Sequence, residues 1–166
     1  MIIEKEVSKS LLVLNIIWAA ILFSLAIYLF IGHMIAADFQ TSMDVQTYTV
    51  IKFVFFILAF VILISTRFVK KFFLSSAKVQ IDQMSSMNQN PILQKYTVAM
   101  IITWALSETI GIFGFVLFLI GKSSIDFYIL IVISAVAMFI NRPNKEEVIN
   151  LSRNNLTGTN TSGGAV

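Results

Sequence analysis

In the run Ala105-Leu106-Ser107-Glu108-Thr109-Ile110-Gly111-Ile112-Phe113 a carboxylate stands in the middle of an apolar stretch. In hydrocarbon an ionised carboxylate costs from about 2.5 kcal/mol upward. A group held there either bonds a neighbouring helix as a packing element or binds and releases a proton or cation. Three hydroxyls are placed to serve it: Ser107 beside it, and Ser24 and Ser134 in two other apolar stretches. A nucleophile at Ser107 would need a base oriented towards it, and no His or Lys stands among the surrounding apolar residues. No catalytic residue is expected, and the chain does not read as an enzyme. With no Cys and a single His, His33, thiolate and His-cluster metal sites are excluded. There is no glycine-rich phosphate loop and no basic nucleic-acid patch, so neither cofactor nor nucleic acid is expected.

The elements that must position Glu108 follow from composition. Hydrophobic residues are 57% of the chain and charged residues 13%, against about 25% charged in a soluble domain. Crossing a hydrocarbon core of about 30 Å takes about 20 mostly apolar residues in a helix. Four stretches qualify: 11–32, 48–66, 97–120 and a shorter 125–140. The fourth opens on Ser123-Ser124-Ile125-Asp126, a capping-box pattern. The segment EKEVSKS before the first span mixes both signs of charge, which predicts a retained span rather than a cleaved signal.

Orientation follows from the basic residues. Ten of the twelve lie in the N-terminus, the 67–96 connection and the C-terminal tail; only Lys52 and Lys122 belong to the other two connections. Both termini and the long connection are therefore expected in the cytoplasm, and the protein in the inner (cytoplasmic) membrane. The predicted class is all-α: a polytopic membrane protein, four transmembrane helices in a bundle spanning residues 1–149. Small residues suit helix contacts in lipid; Ala20 and Ser24 in the first span and Ser107, Gly111 and Gly114 in the third are the candidates.

Within 67–96, Phe68, Val69, Phe72 and Phe73 recur at helical spacing among Lys70, Lys71 and Lys78. This predicts an amphipathic helix in the inner interface, with Arg67 and the three lysines among anionic headgroups. The polar run SSMNQNP ends in Pro91, a turn before the third helix. Residues 150–166, rich in Asn, Ser, Thr and Gly, have almost nothing to bury and read as a disordered tail.

Glu108 lies eleven residues beyond Thr97, which is about 16 Å along a helix and close to the bilayer midplane. Trp104, Ser107, Glu108 and Gly111 share one side of that helix, with Gly114 at its edge. Desolvation without a cationic neighbour favours the neutral acid, so the expectation is a buried, protonated glutamate bonded by Ser24 or Ser134. Lys52, nearer the outer surface, is expected to carry its ammonium to the headgroups.

The stretch from Ala105 to Phe113 resembles the carboxylate-bearing helix of subunit c, the rotor-ring proteolipid of rotary ATP synthases. Upstream, Asn90-Pro91-Ile92-Leu93 resembles that family's cytoplasmic loop. The resemblance implies that Glu108 carries a translocated proton or cation. The chain departs from the family where the ring is built: its second span, YTVIKFVFFILAFVILIST, has no Gly, and two further spans flank the unit. Residues 96–147 are also similar to small bacterial four-span membrane proteins of uncharacterised function, which combine such a glutamate helix with a Gly-containing outer turn, a Phe-Tyr helix start and a closing Arg-Pro. That resemblance implies no activity. The expected role is structural or accessory, with proton or cation translocation through Glu108 as the alternative; the expected partners are the bilayer and either a second copy or another membrane subunit.

Overall fold

The computed structural model describes residues 2–36, 44–75 and 91–150 of the chain. Four helices carry the fold: α1 (Ile2–Ile35), α2 (Val45–Ser75), α3 (Pro91–Gly121) and α4 (Ser124–Ile140). Residues 145–150 add a short closing helix, and no strand occurs among the described residues.

The helices outrun the predicted spans for local reasons. α1 starts at Ile2 because the charged segment before the first span has no Gly or Pro and is rich in Glu and Lys, which favour helix. α2 likewise contains no Gly or Pro and runs on to Ser75, so the first part of the amphipathic connection continues the second span. α3 begins on Pro91 itself, where a missing N–H costs nothing. The rest of that connection, with Lys78, and the tail from residue 151 lie outside the described residues.

Between α3 and α4 the chain turns sharply. Lys122 takes a left-handed conformation with φ of 56°, and its N–H donates to the Phe118 carbonyl at 2.8 Å, closing the helix end. Gly121 is not the left-handed residue, although glycine favours that region. Its missing side chain makes room instead for the Tyr48 ring of α2, which a Cβ there would strike.

α3 is the centre of the bundle, packing most extensively on α4, then on α2 and α1. One apolar cluster joins α1 to the start of α3 and to the closing helix through Leu14, Tyr96, Met100, Trp104 and Val148. A second joins α1, α3 and α4 around Leu25, Phe118, Phe127 and Ile131, and a third joins α2 to α3 and α4 around Ala59, Ile110, Leu117 and Leu130. α1 and α2 share no substantial contact, so the side of α3 between them, with Val98, Ala105 and Ile112, is exposed. Two indoles close the end of α4. Trp18 donates to the Met138 carbonyl at 3.1 Å and Trp104 to that of Asn141 at 2.9 Å, satisfying acceptors that a helix terminus leaves without partners.

α1, α2 and α3 are each long and apolar enough to cross a membrane. α4, at 17 residues, is about 25 Å long, slightly short of a core of about 30 Å. The outer surface of α1, α2 and α4 is apolar: Phe23, Phe30, Phe53, Phe60, Val132 and Phe139 are each more than half exposed. Apolar exposure on that scale suits lipid rather than water.

Candidate functional site

Glu108 looks towards α1. Ser24 Oγ stands 2.5 Å from Glu108 Oε1, and the Tyr28 hydroxyl donates to the same oxygen at 3.2 Å. Ser24 and Tyr28 are four residues apart and so share a face of α1. Oε2 has no hydrogen-bond partner among the described residues.

The Ser24 hydroxyl has one proton and two acceptors within reach, Glu108 Oε1 and the Ile21 carbonyl at 2.6 Å. With Glu108 ionised, Ser24 donates to the carboxylate. With Glu108 neutral, its acid O–H donates to Ser24 Oγ, and the Ser24 O–H donates to the Ile21 carbonyl. The geometry holds in either charge state.

The expectation of a buried Glu108 is corrected: the residue is half-buried. The reason is angular. Successive helical residues are turned about 100° apart, and the inward direction of α3 is set by α4. Ser107 and Gly114 lie along it, while Glu108 falls at the edge of the α1 contact, beside the uncovered side of α3. Ser107 and Ser134 are fully buried, but neither hydroxyl bonds Glu108. Ser134 donates to the Ser107 carbonyl at 2.6 Å, and Ser107 donates to the Thr103 carbonyl of its own helix at 2.9 Å. Of the three hydroxyls, the structure brings only Ser24 to Glu108 and adds Tyr28, whose four-residue offset from Ser24 was visible in the sequence. The Ser107–Ser134 bond also sets Glu108 level with the middle of α4.

Among the small residues, Gly111 lies against Leu25 and Ser134, and Gly114 against Leu130 and the Phe127 carbonyl; a side chain at Gly114 would have to displace backbone. Ala20 is exposed. Of the predicted headgroup residues, Arg67 is exposed and Lys70 and Lys71 belong to α2.

A second polar cluster lies at the start of α4. Lys52 Nζ lies 2.7 Å from Asp126 Oδ1, while the hydroxyls of Tyr48 and Ser123 donate to Asp126 Oδ2, each at 2.8 Å. Tyr48 and Lys52 are again four residues apart, both reaching from α2 to the first turn of α4. The capping pattern is half realised: Ser123 is the N-cap and accepts from the Asp126 N–H, but the Asp126 carboxylate turns to Lys52. Lys52 therefore has a protein partner rather than headgroups alone. Asp126 is 4% exposed, and a carboxylate so buried needs the cation beside it. The sequence signal was one cation and one acid at the same outer level, on spans otherwise nearly free of charge.

Among the described residues no group of three or more metal-ligating side chains comes together. The described residues are all-helical around a central α3, and three of the helices are long and apolar enough to cross a membrane, which suggests a membrane protein. Comparison with protein families, curated proteins and solved structures finds no match to it.

Proposed function

We propose that the chain is an integral protein of the cytoplasmic membrane that crosses four times, with both termini in the cytoplasm, and serves a structural or accessory role without catalysis. Glu108 is the mid-membrane clasp between α1 and α3, carried as the neutral acid. One observation carries this reading: both partners of Glu108 come from one face of α1 in the same chain. Polar contacts between membrane helices contribute about 0.6 to 2 kcal/mol each, and α1 has the smaller share of packing on α3, so the clasp matters to its seating. Ser107 is spent on its own helix, which supports a non-enzymatic role.

A second reading, proton or cation translocation in the manner of a proteolipid, is favoured by the open Oε2 at the edge of the uncovered side of α3. One experiment separates the two. Purified protein in liposomes is tested for proton flux, and Glu108→Gln and Glu108→Leu are compared for stability. The clasp expects no flux, near-normal stability for Gln, and a loss of about 1 kcal/mol for Leu. A flux that Glu108→Gln abolishes without unfolding the chain would transfer the assignment to the second reading. Labelling of Glu108 by a hydrophobic carbodiimide, falling as pH rises, would identify the neutral acid.

A further inference from the structure

A groove of about 550 Å³ runs along α1 beside the segment that follows α4. Its polar lining is Ser8, Asn15 and Lys145; Leu12, Ile16 and Ala19 line it with apolar surface, and Pro143 lies opposite. Leu12 and Ile16 are each 60% exposed, so the groove opens sideways to whatever surrounds the helices.

The level of the groove in the bundle is set by three contacts. Gly32 of α1 lies against Phe127, and Trp18 bonds the Met138 carbonyl and packs edge-on against Phe139. α1 and α4 thus run antiparallel, and Asn15 comes about level with Arg142 and Pro143, where α4 ends. Arg142 places its guanidinium 5.5 Å from the centre of the Trp18 ring. Basic residues and an indole at a helix end mark the membrane boundary. From that level Ile16 and Ala19 continue towards the membrane interior, while Lys145 and Ser8 lie on the other side.

Asn15 is an anomaly on this surface. Its carboxamide is exposed on an apolar helix and has no hydrogen-bond partner among the described residues. Lys145 is exposed and makes no ion pair among them either. The neighbouring acids Glu146 and Glu147 do not line the groove; Glu146 is exposed, and the Tyr96 hydroxyl donates to Glu147 at 3.3 Å. A cation and an amide without partners among the described residues, with the Ser8 hydroxyl beside them at the boundary above an apolar trough, match an acidic headgroup with an acyl chain beneath it.

We infer that this groove is a binding site for an anionic phospholipid, with Lys145 and Asn15 on the phosphate and glycerol region and one acyl chain along Ile16 and Ala19. The inference rests on the membrane reading above but not on the role of Glu108.

Full-length protein in mild detergent is given equal phosphatidylglycerol and phosphatidylcholine, and retained lipid is measured by native mass spectrometry. Preferential retention of phosphatidylglycerol is expected. Lys145→Gln should lower it about fivefold, the ratio for one basic residue at an anionic surface. Asn15→Leu, which keeps the apolar fill, should lower it as well, and Lys122→Gln at the opposite end should not. Equal retention of the two lipids overturns the site, as do variants that retain phosphatidylglycerol like the parent. So does an equal loss in Lys122→Gln, which would reduce the effect to net charge. A dimer that Asn15→Leu dissociates would give the groove to a second copy instead. Alkaline extraction of cell membranes reads the membrane assignment separately: protein kept in the pellet without lipid preference refutes the groove alone.

Discussion

Two acids stand in similar apolar surroundings and are handled differently. Asp126 is buried, and its carboxylate has a cation and two hydroxyl donors. Glu108 is half-buried and has hydroxyls only. Removing one member of a buried ion pair leaves an uncompensated charge and costs about 3–5 kcal/mol. Lys52 is 38% exposed, so Lys52→Ala should cost less, about 2–3 kcal/mol. The double variant Lys52→Met with Asp126→Leu should be the more stable of the two, because no charge is left behind. Denaturation in mixed detergent micelles checks this; a double variant no better than Lys52→Ala would show that the pair itself holds α2 to α4. Glu108 was legible as a polar site from its type and depth. Its partners were legible only as a set of possible hydroxyls, because which of them arrives depends on the rotation of α1.

At the scale of elements, each helix was visible as an apolar run, and the ends were less so. The charged residues before the first span and after the second favour helix as well as they favour water, so α1 and α2 continue past the membrane-like portion. The closing helix at 145–150 escaped a reading based on polarity. Its one buried apolar residue, Val148, finds a place only against Tyr96, Met100 and Leu14. The α3–α4 turn carries the clearest local cost. A non-glycine residue in the left-handed region is disfavoured by about 1 kcal/mol or more, so Lys122→Gly should raise stability by up to about 1 kcal/mol, read as a higher melting temperature in detergent. Gly114→Val should do the reverse, losing about 1–3 kcal/mol, because the Phe127 carbonyl lies 3.1 Å from where its Cβ would stand.

At the scale of the whole molecule, α3 touches all three partners while α1 and α2 leave one of its sides open. The number of crossings turns on α4, the shortest of the four main helices. Four crossings put the two termini on one side of the membrane and three put them on opposite sides. Reporter fusions at Met1 and Val166 should therefore both report the cytoplasm, and opposite locations would mean that α4 does not cross. The basic residues favour the first outcome.

Hydropathy, length and charge act along the chain, and they are what the sequence by itself determined: helices, a membrane-like exterior, one acid at mid-depth, and a basic bias towards one face. The tertiary structure decided which side of each helix faces which neighbour. A rotation of about 100° separates Ser107 from Glu108, and it turns one residue into a buried link to α4 and the next into a half-exposed link to α1. It also brought Lys52 to Asp126, residues far apart in sequence whose attraction exists only once α2 and α4 lie side by side. Periodicity cannot supply that angle, because it is set by how three helices share the surface of a fourth.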